Sequence, residues 1–167
     1  TPACGTHAVQ AFGSVQESSD TENIGKLLLH DDNSSVRKAA AFALGQIKHP
    51  TREMILSQAL KNEENSEVIR EILIAYGKTT SMWNLDLSAL MDDSIKTAGL
   101  AWSIYYAGLR GKTDQSANKA ATFLLDHRFS NDTRLGAAHF FSRAARDFES
   151  SEKVLMASAR QDISAEV

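Results

Sequence analysis

The sequence predicts an all-α protein, a right-handed α–α superhelix of about five helical repeats. Three observations support this prediction. Two prolines and nine glycines among 167 residues leave room for long helices. Apolar residues recur at the spacing i, i+3 and i+4, which places them on one face of a helix. A glycine also returns at an almost constant interval within segments of similar sequence, which is typical of stacked helix pairs, an α-solenoid.

The glycine-containing segments are predicted to form the second helix of each pair. Gly13, Gly45 and Gly77 are equally spaced along the chain, and Gly108 follows at almost the same interval. A fifth segment keeps the small and aromatic residues but has Ser142 at the glycine position. The predicted second helices cover residues 4–15, 36–47, 68–79, 98–109 and 132–143.

Shorter amphipathic stretches between these segments are predicted to form the first helix of each pair. Ile24, Leu27 and Leu28 show the helical spacing in the first of them. Loops of two to six residues connect the helices in this interpretation. The predicted first helices cover residues 21–30, 51–60, 84–91, 118–127 and 151–160.

Polar residues at the predicted turns resemble helix caps. Ser19 with Glu22 has the spacing of a capping box. Acidic pairs at 31–32, 63–64 and 92–93 recur at the turn between the two helices of a pair. Such pairs are compatible with calcium ligands or acid catalysis, but carboxylates at this position are favoured by the helix dipole, so we expect caps.

Small residues recur at matched positions of the second helices. In a solenoid each second helix packs against its own first helix and against neighbouring second helices, so close approach requires alanine or glycine. We expect the recurring glycine to serve also as a left-handed C-cap. A plain four- or five-helix bundle is the alternative architecture. The matched positions are Ala8, Ala40 and Ile72, and Ala11, Ala43 and Ala75.

The stretch LLLHDDNSSVRKAAAFALGQI, residues 27–47, resembles the short HEAT repeat, also called the PBS-lyase-type repeat. Residues 124–144 are a weaker version, and the resemblance covers nearly the whole chain. It implies that Arg37 pairs with a turn aspartate of a neighbouring repeat, in a ladder that stabilises stacking. Arg134 holds the same position, whereas the third and fourth repeats lack this arginine.

Residues 7–16 and 24–46 are also similar to the helical-repeat part of large bacterial peptidyl-prolyl isomerases, in which HEAT repeats precede a cyclophilin-type catalytic domain. That resemblance implies that any isomerase activity lies outside this chain. Val167 aligns with Val36 at the start of a second helix, so a sixth repeat stops as it begins. We therefore expect residues 1–167 to be a single repeat array and a piece of a longer chain.

Composition limits the partners and the compartment. The formal net charge of -3 argues against a general nucleic-acid binder, which needs a basic excess. No apolar run approaches the roughly 20 residues that span a bilayer. The single cysteine, Cys4, cannot form an internal disulfide and fits the cytoplasm, but a removed signal would leave an extracytoplasmic location open. We expect a monomer.

No catalytic or metal-binding motif is recognisable. The sequence has no phosphate-binding glycine loop, nucleophile elbow or His-Glu zinc motif. Cys4 and His7 are three residues apart, but a metal site needs more ligands. We therefore predict no catalytic residue, no metal and no cofactor for this segment.

Variable positions of the second helices are predicted to face outward and to line the concave side. They include Ala39, Ala101 and Gly136 as well as larger residues. Four of the larger ones form an apolar ridge with a basic edge, a composition typical of a protein-binding hot spot. Burial of Trp102 in the core is the alternative. The candidate partner-binding residues are Lys38, Phe42, Arg70, Ile74, Trp102, Tyr105, His139 and Arg143.

Three classes of function follow. The first is a protein-interaction scaffold that binds a partner on the concave face. The second is a non-catalytic arm of a peptidyl-prolyl isomerase that binds client polypeptides, which rests on the resemblance alone. The third is an enzyme on the HEAT scaffold, such as a bilin lyase or a DNA-repair glycosylase. A glycosylase needs a strongly basic concave face, which the negative net charge disfavours.

Overall fold

The computed structural model describes residues 20–145 and 148–160, apart from the side chains of Ala89 and residues 148–151, and this part of the chain is all-α with no strand. Its helices alternate with short turns in the predicted order. They are α1 (Thr21–His30), α2 (Ser34–Gln46), α3 (Arg52–Asn62), α4 (Ser66–Thr79), a 3₁₀ turn (Ser88–Leu90), α5 (Ser94–Leu109), α6 (Gln115–Leu124), α7 (Asn131–His139), a π turn (Phe140–Ala144) and α8 (Phe148–Ala159).

The chain divides into two compact units, an N-terminal unit (Thr1–Thr79) and a C-terminal unit (Thr80–Val167). In the N-terminal unit, α2 packs against α4, and each also packs against the first helix of its own pair. In the C-terminal unit, α5 packs against α7 and the π turn, and α6 packs against both α5 and α7. Second helices therefore stack on second helices within each unit, as predicted. The predicted helix at 4–15 lies outside the described residues.

Side chains at the turns cap the second helices. Asn33 accepts a hydrogen bond from the backbone N–H of Ser35, and Asn65 accepts from Glu67 and Val68. Asp93 of the third acidic pair accepts from Ile95 and Lys96. Capping is thus confirmed at Asp93, whereas asparagines take this role in the two earlier turns.

The predicted capping box of Ser19 with Glu22 before α1 includes a residue that the structure does not describe. The N-cap of α1 is Asp20, whose side chain makes no capping hydrogen bond. Ser19 lies outside the described residues.

The alanine positions confirm the reason for small residues in the second helices. Ala40 and Ala43 of α2 are completely buried. A Cβ at Gly45 would lie 3.1 Å from the Cβ of Ala75 on α4, so glycine permits this close approach. The expected C-cap role is wrong, because Gly45 is inside α2. Among the described residues, the glycine with positive φ is Gly111 instead.

The predicted helix at 84–91 is reduced to the 3₁₀ turn. The carboxylate of Asp86 accepts hydrogen bonds from the backbone N–H and the hydroxyl of Ser88, at 2.9 and 2.8 Å. Such local bonds compete with helix formation. Trp83 is buried just before them, and its indole N–H donates to the hydroxyl of Ser103 at 3.2 Å. Its backbone N–H donates to the carbonyl of Lys112 at 2.7 Å, which holds this segment against the end of α5.

An ion pair connects the two repeats of the N-terminal unit. The Arg37 guanidinium donates to both carboxylate oxygens of Glu63, at 2.7 and 2.9 Å, and to the backbone carbonyls of Asp31 and Asp32. Both side chains are largely buried. The predicted aspartate partner is therefore wrong, because Glu63, the residue equivalent to Asp31 in the next repeat, supplies the carboxylate and the aspartates supply only carbonyls.

Electrostatics at this pair favour the charged forms. The hydrogen bond to Glu63 raises the pKa of Arg37 above its usual value. Burial pushes the pKa of Glu63 upward, but hydrogen bonds from Arg37 and from the backbone of Asn65 outweigh it, so the net pKa lies below the ordinary value. The bidentate geometry makes these bonds stronger than neutral ones.

Arg134, at the equivalent position of the C-terminal unit, bonds within its own turn. It donates to the carbonyl of Phe129 at 2.6 Å and to the side-chain oxygen of Asn131 at 2.8 Å. Arg37 likewise reaches the carbonyl five residues before itself. The shared function of the two arginines is therefore to satisfy turn carbonyls.

Overpacking the second helices should destabilise the protein. Replacing Ala40 or Ala43 by Leu adds volume where no space exists and should lower the free energy of unfolding by about 1 to 3 kcal/mol. Denaturant unfolding measures this, with Gln58→Leu on the exposed side of α3 as the matched control. Unchanged stability at both alanines would contradict the packing described above.

The Arg37–Glu63 pair should make stability depend on acid pH. A lowered pKa in the folded state means that the stabilisation is present above the unfolded pKa of about 4.5 and is lost as pH falls through the folded pKa. Glu63→Gln should cost about 2 kcal/mol at pH 7, and the difference from wild type should shrink below pH 4.5. The exposed neighbour variant Glu64→Gln serves as control. A pH-independent difference for Glu63→Gln would contradict the ion pair.

Candidate functional site

The structure distributes the eight predicted partner-binding residues over the second helices of both units. The N-terminal unit holds Lys38, Phe42, Arg70 and Ile74 on α2 and α4, and the C-terminal unit holds Trp102, Tyr105, His139 and Arg143 on α5, α7 and the π turn.

Phe42 is the most exposed apolar residue of the N-terminal set, with 37% of its surface accessible. The ammonium group of Lys78 lies 5.7 Å from the centre of its ring, at cation–π distance. Lys38 forms an ion pair with Glu67 at 2.7 Å, and Arg70 and Ile74 are half-buried. Lys38 is therefore paired within its own unit, and Lys78 lies against Phe42.

Glu71 adds a carboxylate to this basic surface. It lies on α4 next to Arg70 and is half-buried. Burial raises the pKa of Glu71 above its ordinary value, although the charges of Lys78, Lys38 and Arg70 act in the opposite direction. The N-terminal surface is therefore a mixture of opposite charges around one exposed ring.

Aromatic rings form a cluster in the C-terminal unit. The ring of Trp102 lies 5.6 Å from Tyr105 and 5.5 Å from His139, measured between ring centres. Tyr105 lies 5.6 Å from His139. Tyr106, which was not among the predicted residues, lies 5.2 Å from Tyr105 and 6.4 Å from Trp102. All four side chains are half-buried, so each keeps some surface accessible to a partner.

Helix packing holds this aromatic cluster in place. Trp102, Tyr105 and Tyr106 share one face of α5 because they follow the spacing i, i+3 and i+4. A Cβ at Gly136 of α7 would lie only 3.1 Å from the backbone nitrogen of Trp102, so glycine lets the two helices approach closely. This approach brings His139, three residues further along α7, against the rings.

A hydrogen bond fixes the orientation of the indole. The Nε1–H of Trp102 donates to Oδ1 of Asp132 at 2.8 Å. Asp132 lies in the first turn of α7 and is exposed. The alternative that Trp102 is a core residue is therefore wrong, since its polar atom bonds at the surface and its ring is only partly covered.

Three of the positions predicted to face outward are buried instead. Ala39, Ala101 and Gly136 have almost no accessible surface. Ala101 packs against Gly136, where a Cβ would lie 3.0 Å from its own. These small residues belong to the contact between second helices, and the larger residues beside them form the surface.

Arg143 remains exposed at the edge of the C-terminal set. It lies in the π turn that follows α7, where Phe140 packs over Gly108 so closely that a Cβ there would clash with the ring at 2.7 Å. The structure does not bring Arg143 into one of the described ring contacts. Its place in the binding surface stays a prediction.

No metal site or membrane span is recognisable in the described part of the chain. Residues 20–145 and 148–160 contain no group of three or more His, Cys, Asp or Glu side chains arranged to hold a metal ion. Within the same ranges, none of the helices combines the length and the apolar character needed to cross a bilayer. The pair Cys4 and His7 lies outside the described residues.

Comparison with known protein families identifies a family for this chain. A profile described as HEAT repeats matches residues 7–96, which is more than half of the chain. The chain belongs to the HEAT-repeat family. HEAT repeats are generally protein-interaction scaffolds and are typically non-catalytic. Searches of curated proteins and of solved structures gave no match.

Proposed function

We propose that this chain is a protein-interaction module that binds a partner polypeptide through its second helices, with the main anchor at the aromatic cluster of Trp102, Tyr105, Tyr106 and His139. The observation that carries this proposal is the contact of four half-buried rings on one surface of the C-terminal unit. Tryptophan and tyrosine are enriched among the residues that dominate binding energy at interfaces.

Preorganisation of the cluster supports this role. The indole of Trp102 is held by Asp132, and its ring is in contact with three neighbouring rings. A side chain that is already ordered loses little conformational entropy on binding. Burial of the remaining accessible ring surface can therefore contribute almost fully to affinity.

The surface of the N-terminal unit is proposed to be a weaker binding surface of its own. Phe42 offers a small exposed apolar surface, and Lys38, Arg70 and Ile74 lie on the same two helices, α2 and α4. Charges such as Lys38 and Arg143 at the edge of an interface affect mainly association rate and orientation. We assign these residues to specificity and the aromatic cluster to affinity.

Site-specific photo-crosslinking tests the location of the surface. A benzoylphenylalanine at Tyr105 should capture a partner polypeptide in the native host. The same probe at Lys119, exposed on α6, serves as control and should not capture this partner. Equal capture at both positions would contradict the proposal.

Affinity measurements on the captured partner then test the energetics. Trp102→Ala should weaken binding about 30-fold or more, as expected for a hot-spot residue. Arg143→Ala and Lys38→Ala should act mainly at low salt, because charges at the edge are screened. The matched control is Phe123→Ala, which removes an exposed aromatic side chain of α6. Circular dichroism checks that each variant keeps its helicity, and equal losses for Trp102→Ala and Phe123→Ala would contradict the assignment.

A further inference from the structure

The contacts of Trp102 on α5 with residues of α7 indicate which kind of partner side chain binds here. The indole contacts α7 at two places: its Nε1–H donates to Asp132, and its ring lies 5.5 Å from that of His139. Asp132 and His139 are seven residues apart, two helical turns, and therefore share a face of the helix. A partner side chain that reaches the indole consequently also comes close to the Asp132 carboxylate.

The electrostatic potential around the Trp102 ring favours the binding of a cation. The faces of indole and phenol rings carry negative potential and attract ammonium and guanidinium groups. The exposed carboxylate of Asp132 adds a full negative charge beside the Trp102 ring. A carboxylate has about four lone-pair positions and can accept further hydrogen bonds besides that of the indole.

Phe42, the exposed ring of the N-terminal unit, has a different electrostatic environment. Phe42 already lies under the ammonium group of Lys78 at 5.7 Å. The described contacts of the Trp102 side chain are to aromatic rings and to a carboxylate. Charge complementarity therefore distinguishes the two rings, because Phe42 already faces a cation, whereas Trp102 lies beside the carboxylate of Asp132.

We propose that this site takes an arginine side chain of the partner polypeptide, with the guanidinium over the Trp102 indole and its N–H groups directed to Asp132. Arginine fits better than lysine because its planar group stacks on aromatic faces and its donors match a carboxylate in two-point geometry. The inference rests on the proposed function, since it specifies the partner chemistry for the same aromatic cluster.

A pair of peptides tests the requirement for charge. The probes are acetyl-Gly-Gly-Arg-Gly-Gly-amide and the same peptide with citrulline, which keeps the planar shape of arginine but is neutral. Binding is followed through the indole ¹H–¹⁵N signals of the labelled protein. The Trp102 signal should shift with the arginine peptide at about fivefold lower concentration than with the citrulline peptide. The signal of Trp83, which is buried, serves as internal control.

The variant Asp132→Asn tests the carboxylate. Asparagine keeps an oxygen that can accept the indole hydrogen bond but removes the charge. We expect the variant to lose the preference for the arginine peptide, whereas Glu64→Gln, which removes an exposed charge in the N-terminal unit, should keep it. Equal binding of both peptides to the wild type, or an unchanged preference in Asp132→Asn, would overturn the inference.

The two proposals fail in different ways. If Trp102→Ala abolishes binding of the crosslinked partner but the wild type does not distinguish arginine from citrulline, the aromatic cluster is the binding surface and the arginine assignment is wrong. If Trp102→Ala leaves the partner affinity unchanged, the proposed function itself is wrong at this surface, and the arginine assignment fails with it.

Discussion

Close approach of the second helices governs the packing within each unit. Where α2 meets α4, Gly45 faces Ala75 at a distance that leaves no room for a larger residue. Where α5 meets α7, Gly136 faces Ala101 in the same way. Helices this close exclude large side chains from the contact itself, so these project beside it. Trp102 follows Ala101 directly, and the packing that buries the alanine also brings the indole into contact with α7.

Polar chemistry adds a second constraint that differs between the units. In the N-terminal unit the Arg37–Glu63 pair connects consecutive repeats. In the C-terminal unit Arg134 bonds within its own turn, and the buried hydroxyls of Thr97 and Thr133 meet at 3.1 Å between α5 and α7. Degenerate repeats can thus keep the same helix packing while they change the polar groups that support it. The absence of this arginine from the third and fourth repeats agrees with such freedom.

The sequence predicted the fold because its signals are local and repeated. Regularly spaced glycine and alanine positions, together with helical periodicity, were sufficient for the order of helices and for the buried faces. The same periodicity wrongly predicted a helix at 84–91. There, hydrogen bonds within the Asp86–Ser88 segment and the burial of Trp83 decide the backbone, and neither is visible in apolar spacing.

The candidate site was only partly predictable, because it depends on the register between helices. Comparison of equivalent positions in the repeats predicted Trp102, Tyr105 and His139, and the structure brings these three together. It missed Tyr106, and it missed the contact of Trp102 with Asp132, which depends on the rotation of α5 against α7. A search for aromatic residues at i, i+3 and i+4 would have found Tyr106. The inward orientation of Ala39 could have been inferred from its size alone.

Hydrogen exchange of the complex tests whether the second helices carry the binding surface. The protein is recovered from the native host together with its partner, and amide exchange is compared with that of the isolated chain. We expect slower exchange in peptides covering 98–109 and 131–143, with unchanged exchange in α6 and α3. Protection confined to α6 or α3, with none in the peptides around Trp102 and His139, would contradict the claim that the second helices carry the binding surface.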